Sequence, residues 1–458
     1  MEQKYIVAIE IGSSRVKGAV GTIESSGTLV VNAIEELPLI DCVRYGCIQN
    51  VEEVRACVAE IITSLEARAN ISPRKVKGVY VSLGGRSMMS YRRDIEQNFD
   101  DETEITNDVI TNLIDGARVE SFTDKEIVEI MPMGFTVDNM VHLNPIGTFG
   151  HNLKASLNVI ACRPQIIKNI DRVIVEKLQL GINGYIVRQT ALAQLVLTKE
   201  ETQLGCVLVD FGAETTTMSI HKSGVMQHMV TIPMGSRNIT RDLTSLSITE
   251  ETAENIKKEK ANANIQETSG NGGKSTIIEG VEDVEINNYV QYRASEIVAN
   301  IIGQIEQAGF KIADLSCGII IVGGGSKLKG FNALLNTQSS LKVRSGMVSG
   351  MVHIAENSVA SNDALDVIAV LFAASKGNGE DLVNCLEGEA LIEIGNEEDV
   401  EVINTKNENV DINRPKATVG EEEITSSGKG KTSTSGTNIT KKLFSKLAEL
   451  LKEDGYDD

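Results

Sequence analysis

The sequence predicts an α/β protein of two matched lobes, and three observations predict it. One turn is written twice, about two hundred residues apart. Helical and strand patterns alternate around both copies, and each half is interrupted by an insertion of different texture. The first copy reads Val7-Ala-Ile-Glu10-Ile-Gly12-Ser13-Ser14 and the second Val207-Leu-Val-Asp210-Phe-Gly212-Ala213-Glu214-Thr215. In each, an apolar run meets an acid, an apolar residue, a glycine and small residues, and a further apolar run follows at 16–20 or 218–220. Each therefore reads as a β-hairpin tipped with glycine and Ser or Thr. Glycine lets backbone approach an anion closely, and successive N–H groups with hydroxyls cradle phosphate. The acid at the strand end suits a water-mediated Mg²⁺ contact. A single such hairpin is an ordinary β-turn; two facing each other would grip a triphosphate from both sides.

In chain order, apolar runs at 5–11, 16–23 and 28–34 predict three strands, followed by a helix around 51–69 and a strand over 76–83 that stops at Gly84-Gly85. Residues 86–163 change texture, with a polar helix near 106–119 and strands around 126–131 and 154–161, and read as an α+β insertion. A long amphipathic helix is predicted over 165–180. From Gly205 the plan repeats, with a second insertion carrying the loop Ser269-Gly-Asn-Gly-Gly273 and a helix over 286–301. An apolar strand, 318–322, then breaks into Gly323-Gly324-Gly325-Ser326, with a helix from Lys327 to Leu335. Glycine backbone there can lie against a flat nucleoside near a helix N-terminus.

The resulting division is 1–85 and 164–203 for the first lobe around the 86–163 insertion. The second lobe comprises 204–235 and 314–377, with insertion 236–313 and a return to the first lobe at the end. A disordered linker occupies 378–437 and a terminal helix 438–454.

The 458 residues carry a net charge of −20, unevenly placed. Residues 378–424 hold 14 acidic side chains against Lys406, Arg414 and Lys416, which leaves −11 there and −9 elsewhere. No basic stripe offsets phosphate repulsion, so nucleic acid is excluded as a partner. The stretch itself, followed by a Ser/Thr/Gly/Lys-rich run, is solvated spacer chemistry. No apolar run reaches the roughly 20 residues of a membrane span, and Met1-Glu-Gln-Lys4 leads directly into a strand instead of a signal peptide. Seven cysteines without a CxxC pair read as free thiols in a reducing cytoplasm, and the five histidines lack metal-ligand spacing.

At about 100° per residue, Ile439, Leu443, Phe444, Leu447, Leu450 and Leu451 share an arc of about 140°. Lys441, Lys442, Lys446 and Lys452 lie outside it. A basic amphipathic helix on a long leash suits a membrane surface; docking onto its own core or onto a partner is the alternative. One such helix is a weak anchor, strengthened when many copies are displayed together.

The order hairpin, hairpin, strand–glycine–helix resembles the superfamily of actin, Hsp70 and sugar kinases, whose halves close over ATP. Within it the chain resembles the FtsA family of bacterial cell division proteins. The likeness rests on Ile9-Glu-Ile-Gly-Ser-Ser-Arg-Val16, Ser82-Leu-Gly-Gly85 before the insertion, Asn144-Pro-Ile-Gly147 late in it, Leu204 to Gly212, Ala253-Glu-Asn-Ile-Lys257, the glycine strand and the leashed tail helix. The resemblance implies an actin-like two-lobed fold with an inserted α+β subdomain and a C-terminal amphipathic helix. It implies that Glu10, Gly12, Ser13, Ser14 and Lys17 contact the ATP phosphates, opposite Asp210, Gly212, Ala213, Glu214 and Thr215. Glu10 and Asp210 would hold Mg²⁺ through water, and Gly235 would close the next turn over the nucleotide. Glu254 and Lys257 would address ribose and base, and Gly323, Gly324, Gly325 and Ser326 the adenosine.

Two residues depart from the superfamily pattern. Glu10 stands where Asp is usual. Glu214 adds a carboxylate beside bound phosphate, so it either points away or weakens ATP binding. Gln189 aligns where relatives place a water-positioning group, with Asp210 as its partner in polarising water; a Gln capping an ordinary helix start is the alternative. The implied ATPase is at most slow.

The implied task is tethering the tubulin-like protein FtsZ to the cytoplasmic face of the inner membrane and recruiting later division proteins, with self-association into filaments. Arg293 and Glu296 resemble an Arg-x-x-Glu that meets the FtsZ C-terminal peptide, or form a plain surface pair. The competing readings are a pilus-assembly scaffold of the PilM type, which lacks the leashed helix, and a sugar or acetate kinase, which needs a substrate pocket and no tail.

Overall fold

The computed structural model describes residues 4–69, 71, 74–119, 122–264, 276–348, 350–355, 364–376 and 383–386. The first hairpin forms as β1 (Tyr5–Ile11) and β2 (Arg15–Ile23), followed by β3 (Leu29–Pro38), a short pair β4 (Val43–Arg44) and β5 (Cys47–Ile48), α1 (Val51–Arg68) and β6 (Gly78–Leu83). The insertion contributes β7 (Met89–Glu104), α2 (Asn107–Val119), β8 (Glu126–Val137), β9 (Met140–His142) and β10 (Phe149–Cys162). The chain then returns through α3 (Pro164–Asp171), β11 (Gly181–Val187), α4 (Arg188–Val196) and α5 (Lys199–Leu204). The second half holds β12 (Cys206–Phe211), β13 (Thr216–Lys222), β14 (Val225–Ile232), α6 (Ser236–Leu243), α7 (Glu250–Glu259), the pair β15 (Ile277–Ile278) and β16 (Val281–Glu282), and α8 (Asp283–Gln307). It closes with β17 (Ile319–Val322), α9 (Phe331–Ser339), β18 (Val343–Ser345), β19 (Val352–Ile354) and α10 (Leu365–Ser375).

The duplication written in the turns extends to whole sheets. One runs β11-β6-β1-β2-β3-β19 and the other β18-β17-β12-β13-β14 before continuing into the insertion. In both, the strand entering the turn pairs antiparallel with its hairpin partner and parallel with the strand on its other side. Both entering strands sit mid-sheet with buried faces, which explains their nearly unbroken apolar runs. α10 is the chain's return: its apolar residues from Val367 to Ala374 are buried in the first lobe's core, beside β1, β2, β6 and α4. The actin-like α/β fold with repeated sheets is thus present.

The insertion builds its own core from residues such as Ile105, Ile110, Leu153 and Leu157. Its strands β7-β10-β8-β9 join the second lobe's sheet where Val230 pairs with Met89. The long β7 escaped the sequence pattern because much of it alternates charged and polar residues; its ladder to β10, from Met89–Ala161 to Glu104–Phe149, defines it.

Four sequence expectations are adjusted. The helix over 165–180 is α3 followed by a π-helical segment, Arg172–Lys177. The helix predicted from Lys327 starts at Phe331, because a short 3₁₀ turn occupies Gly324–Lys327 and Gly330, at φ 78°, turns the chain into the helix. The helix over 286–301 extends to 283–307. The linker predicted from 378 contains a packed segment: Cys385 is buried, donates its N–H to Tyr5 O at 2.9 Å and accepts from Lys77 N at 2.8 Å. Its reason is local, since Cys385 and Leu386 are apolar residues within an acidic run. The Ser269–Gly273 loop, most of 378–437 and the 438–454 tail helix lie outside the described residues. Among the described residues no helix is long and apolar enough to cross a membrane.

Gly205, which joins α5 to β12, has φ 109°, and a Cβ there would lie 2.0 Å from Asp314 O. Gly205→Ala is expected to lower stability by roughly 2–3 kcal/mol, read as a shifted urea midpoint with the secondary structure retained.

Candidate functional site

The two turns close identically. Gly12 N donates to Arg15 O and Gly212 N to Thr215 O, each at 2.9 Å. Among the described residues, no hydrogen bond uses the backbone N–H of Ser13, Ser14, Ala213 or Glu214. These half-buried or buried tips therefore retain the donors a phosphate needs, which fits the ATP assignment.

The strand-end acids meet between the lobes. The Arg188 guanidinium, at the first turn of α4, binds both: Nη1 to Glu10 Oε1 at 2.8 Å and Nε to Asp210 Oδ2 at 3.0 Å. Beside it, Lys17 Nζ binds Asp366 Oδ2 at 2.7 Å, at the head of α10. Burial, and then Asp366, push the Glu10 carboxyl up to about 7 despite Arg188. Burial likewise raises Asp210, with Arg188 pulling against it. Burial works against the Lys17 charge, but Asp366 and then Glu10 hold its ammonium above the ordinary value. The guanidinium is raised too: burial opposes its charge, and Asp210, Glu10 and Asp366 outweigh it. The carboxylates assigned to Mg²⁺ through water thus already share a resident cation, and the arrangement does not fit a hydrated ion between them.

Glu214 points away from the phosphate tips. It is 1% exposed and accepts from Tyr45 N at 2.7 Å, Arg241 Nη2 at 3.0 Å and Arg237 Nη1 at 3.4 Å. Tyr45 belongs to the β4–β5 turn of the first lobe and the arginines to α6, so Glu214 fastens the second turn across the cleft. Gly235 lies against that turn, where a Cβ would sit 2.4 Å from the Ala213 carbonyl. Ser236 N and Arg237 N donate to Gly212 O and Ala213 O at 3.0 and 2.7 Å. Behind them, Lys257 Nζ binds Glu254 Oε2 at 2.6 Å, Thr240 Oγ1 at 2.9 Å and Ser236 O at 3.3 Å. Burial lowers the Lys257 ammonium. Burial opposes ionisation of Glu254, yet Lys257 brings it down to about 2. This pair holds α7 to α6 beneath the second turn.

The glycine strand also adjoins that turn. A Cβ on Gly323 would lie 2.5 Å from Asp210 Oδ1 and Phe211 O, and one on Gly325 2.7 Å from the Phe211 ring. Packing over the end of β12 thus demands two of the three glycines, while Gly324 faces open space. Ser326 Oγ turns back to Gly323 O at 2.7 Å.

Gln189 fills neither role anticipated for it. It is 2% exposed, and its Nε2 donates to Leu208 O at 3.1 Å and Ser219 Oγ at 2.9 Å, reaching from α4 into the second sheet. Its Oε1 is enclosed without a protein partner, and no side chain caps α4. Ser219 Oγ meets His221 Nε2 at 2.9 Å, and burial pushes His221 down to about 4. Arg293 clamps Asp242 of α6 through Nε at 2.6 Å and Nη2 at 3.0 Å and also binds Glu296, so an acidic peptide there competes with an existing partner. Sequence reasoning missed Arg188, Asp366, Arg237 and Arg241. The available signal was a charge placed where an apolar element begins, as at Val187-Arg188 and Leu365-Asp366.

Comparison with known proteins agrees with this geometry. Residues 207–363 match the family described as Cell division protein FtsA, and residues 85–161 match an SHS2 domain inserted in FtsA. The chain is similar to Cell division protein FtsA of Porphyromonas gingivalis, 31% identical over 71% of this chain and 69% of that one. Against Cell division protein FtsA of Escherichia coli, identity is 25% over 75% of this chain and 84% of that one. A PilM-PilN type IV pilus biogenesis complex shares the fold, with a TM-score of 0.58 at 14% identity over 82% of this chain and 98% of that one.

Glu214→Ala is expected to cost roughly 3 kcal/mol, since it strands two arginines and an N–H; urea unfolding reads the loss, and faster proteolysis between residues 41 and 46 reads the freed turn. For His221 the folded ring takes its proton only near pH 4 and the unfolded ring near 6.5, so stability falls as pH drops through that window. At about 1.4 kcal/mol per pH unit the loss totals about 3 kcal/mol. Urea midpoints at both ends of the window should converge in His221→Gln.

Proposed function

The chain belongs to the FtsA family of cell division proteins, and we propose that it binds ATP between its two turns and acts as a membrane adaptor for the FtsZ ring. One observation carries the nucleotide assignment: two turns of one design face each other with the same closing bond, and their tip N–H groups are uncommitted. Gly12, Ser13 and Ser14 would take one side of the phosphate chain and Gly212, Ala213 and Thr215 the other, by backbone donors and hydroxyls. Gly324 offers the open backbone face against which a nucleoside can lie. Bound ATP would supply a bridge between the lobes. Gln189 is enclosed and hydrogen-bonded away from water, so any hydrolysis is slow and the protein works by assembly.

The basic amphipathic segment 439–451 supplies the contact with the cytoplasmic face of the membrane. A single tail binds weakly because its burial must offset the ordering of a long leash. Side-by-side copies in a filament make later insertions intramolecular. The second insertion, with Arg293 and Glu296 on α8, would receive the FtsZ C-terminal peptide, and the first would meet later division proteins and neighbouring subunits.

The test is co-sedimentation with anionic liposomes and an FtsZ tail peptide, with and without ATP. Full-length protein should pellet more strongly with ATP and carry the peptide down. A chain ending at residue 437 should stay in the supernatant, and undiminished pelleting of that truncation would sink the anchoring role. Arg293→Glu should leave pelleting intact and lose the peptide.

A further inference from the structure

We propose that Arg188 is a built-in counter-cation, taking the position between the two turn acids that a divalent ion would fill, so that the cleft binds nucleotide without a metal. The nucleotide half of this inference rests on the ATP reading above; the metal half does not.

Glu10 and Asp210 end the equivalent strands β1 and β12, so the duplication brings two carboxylates together on the line between the lobes. Their side chains are 3% and 7% exposed. Two carboxylates buried at close quarters repel, and a proton, a metal or a fixed cation must relieve the repulsion. Arg188 supplies the third. A guanidinium is charged at every working pH, and its planar set of donors reaches two acids on different strands at once, which an ammonium does less well. Here Nε serves one lobe and Nη1 the other.

The surroundings are shaped for it. Arg188 opens α4 directly after β11, whose neighbour is β6. Gly84 follows the last residue of β6, and a Cβ there would sit 3.2 Å from Arg188 Cζ. The absent side chain gives the guanidinium its berth. Mg²⁺ holds several waters and demands octahedral space. The recess beside Arg188, too narrow to hold a water molecule, is lined by Leu83, Gly84, Met88, Gln189 and their neighbours, and none of the three carboxylates borders it. The third acid of the cluster, Asp366, has its own cation in Lys17. A metal would therefore have to displace a guanidinium that bridges both acids from a crowded site.

The experiment compares full-length wild type with Arg188→Met and Arg188→Lys, each in EDTA and in millimolar Mg²⁺. Thermal melting is followed without nucleotide, and affinity for a fluorescent ATP analogue is measured in parallel. Wild type should melt within about 1 °C in the two buffers and change its affinity by less than about threefold. Arg188→Met should melt lower in EDTA, regain stability with Mg²⁺ alone, and bind the analogue about tenfold tighter with Mg²⁺ than without. Arg188→Lys should fall between them.

A wild-type Tm raised by Mg²⁺, or wild-type affinity lost about tenfold in EDTA, overturns the proposal. So does an Arg188→Met protein that melts like wild type in EDTA. Should Arg188→Met not fold even with Mg²⁺, the wild-type comparison decides alone. Should wild type bind no analogue in either buffer, the ATP reading fails, and the melting arm still judges Arg188.

Discussion

Two like charges must be kept apart or paid for wherever this fold duplicates itself, and here a single arginine settles the matter. Doubling a strand–acid–glycine turn brings Glu10 and Asp210 to the same place from opposite lobes. Desolvation at that place disfavours both charges. Arg188 offsets their repulsion by bonding to both and in doing so ties one sheet to the other. The dependence runs both ways, because an arginine buried between lobes without its acids would itself be a heavy cost. Gly84 and the start of α4 after β11 seat this group, and Lys17 satisfies the third acid, Asp366.

Two further ties accompany it. Gln189, the next residue, gives its amide to the second sheet, and Glu214 draws Tyr45 of the first lobe against Arg237 and Arg241 of α6. All three are formed by polar groups withdrawn from water, so each contributes chiefly through what breaking it would strand. The two halves thereby became unequal despite their common strand order. The first tip keeps two serine hydroxyls; the second exchanges that chemistry for a carboxylate fastened elsewhere.

How far the sequence revealed this depended on the kind of signal. Mid-sheet strands such as β1, β12 and β17 are buried on both faces, so their apolar runs were plain, and the glycine turns marked where they end. β7 was hidden because Arg93 and Gln97 interrupt the half-buried face it forms with Met89, Tyr91, Ile95 and Phe99, and its far end is acidic. The packed Cys385 segment was hidden by the acidic run around it. At the site, the residues with a local pattern, Glu10, Gly12, Asp210 and Gly212, were legible. Arg188 and Asp366 were not, because their partners lie 178 and 349 residues away in the chain. Gln189 was found by position and misread in role, since only the fold shows that its amide is spent on β12 and β13.

The ties also bear on what the cleft is for. A two-state hinge responds to a ligand only by the difference in affinity between its states. Opening these lobes would separate Arg188 from an acid, Glu214 from a backbone N–H and Gln189 from a hydroxyl, so each tie favours the closed arrangement. A turnover enzyme that must admit and release nucleotide in every cycle would be slowed by that bias. The proposed adaptor would be served by it, because a filament of identical subunits would need each copy in one shape, and weak membrane contacts strengthen when repeated. On the adaptor role proposed above, the charge cluster that would slow a turnover enzyme would instead favour one uniform shape.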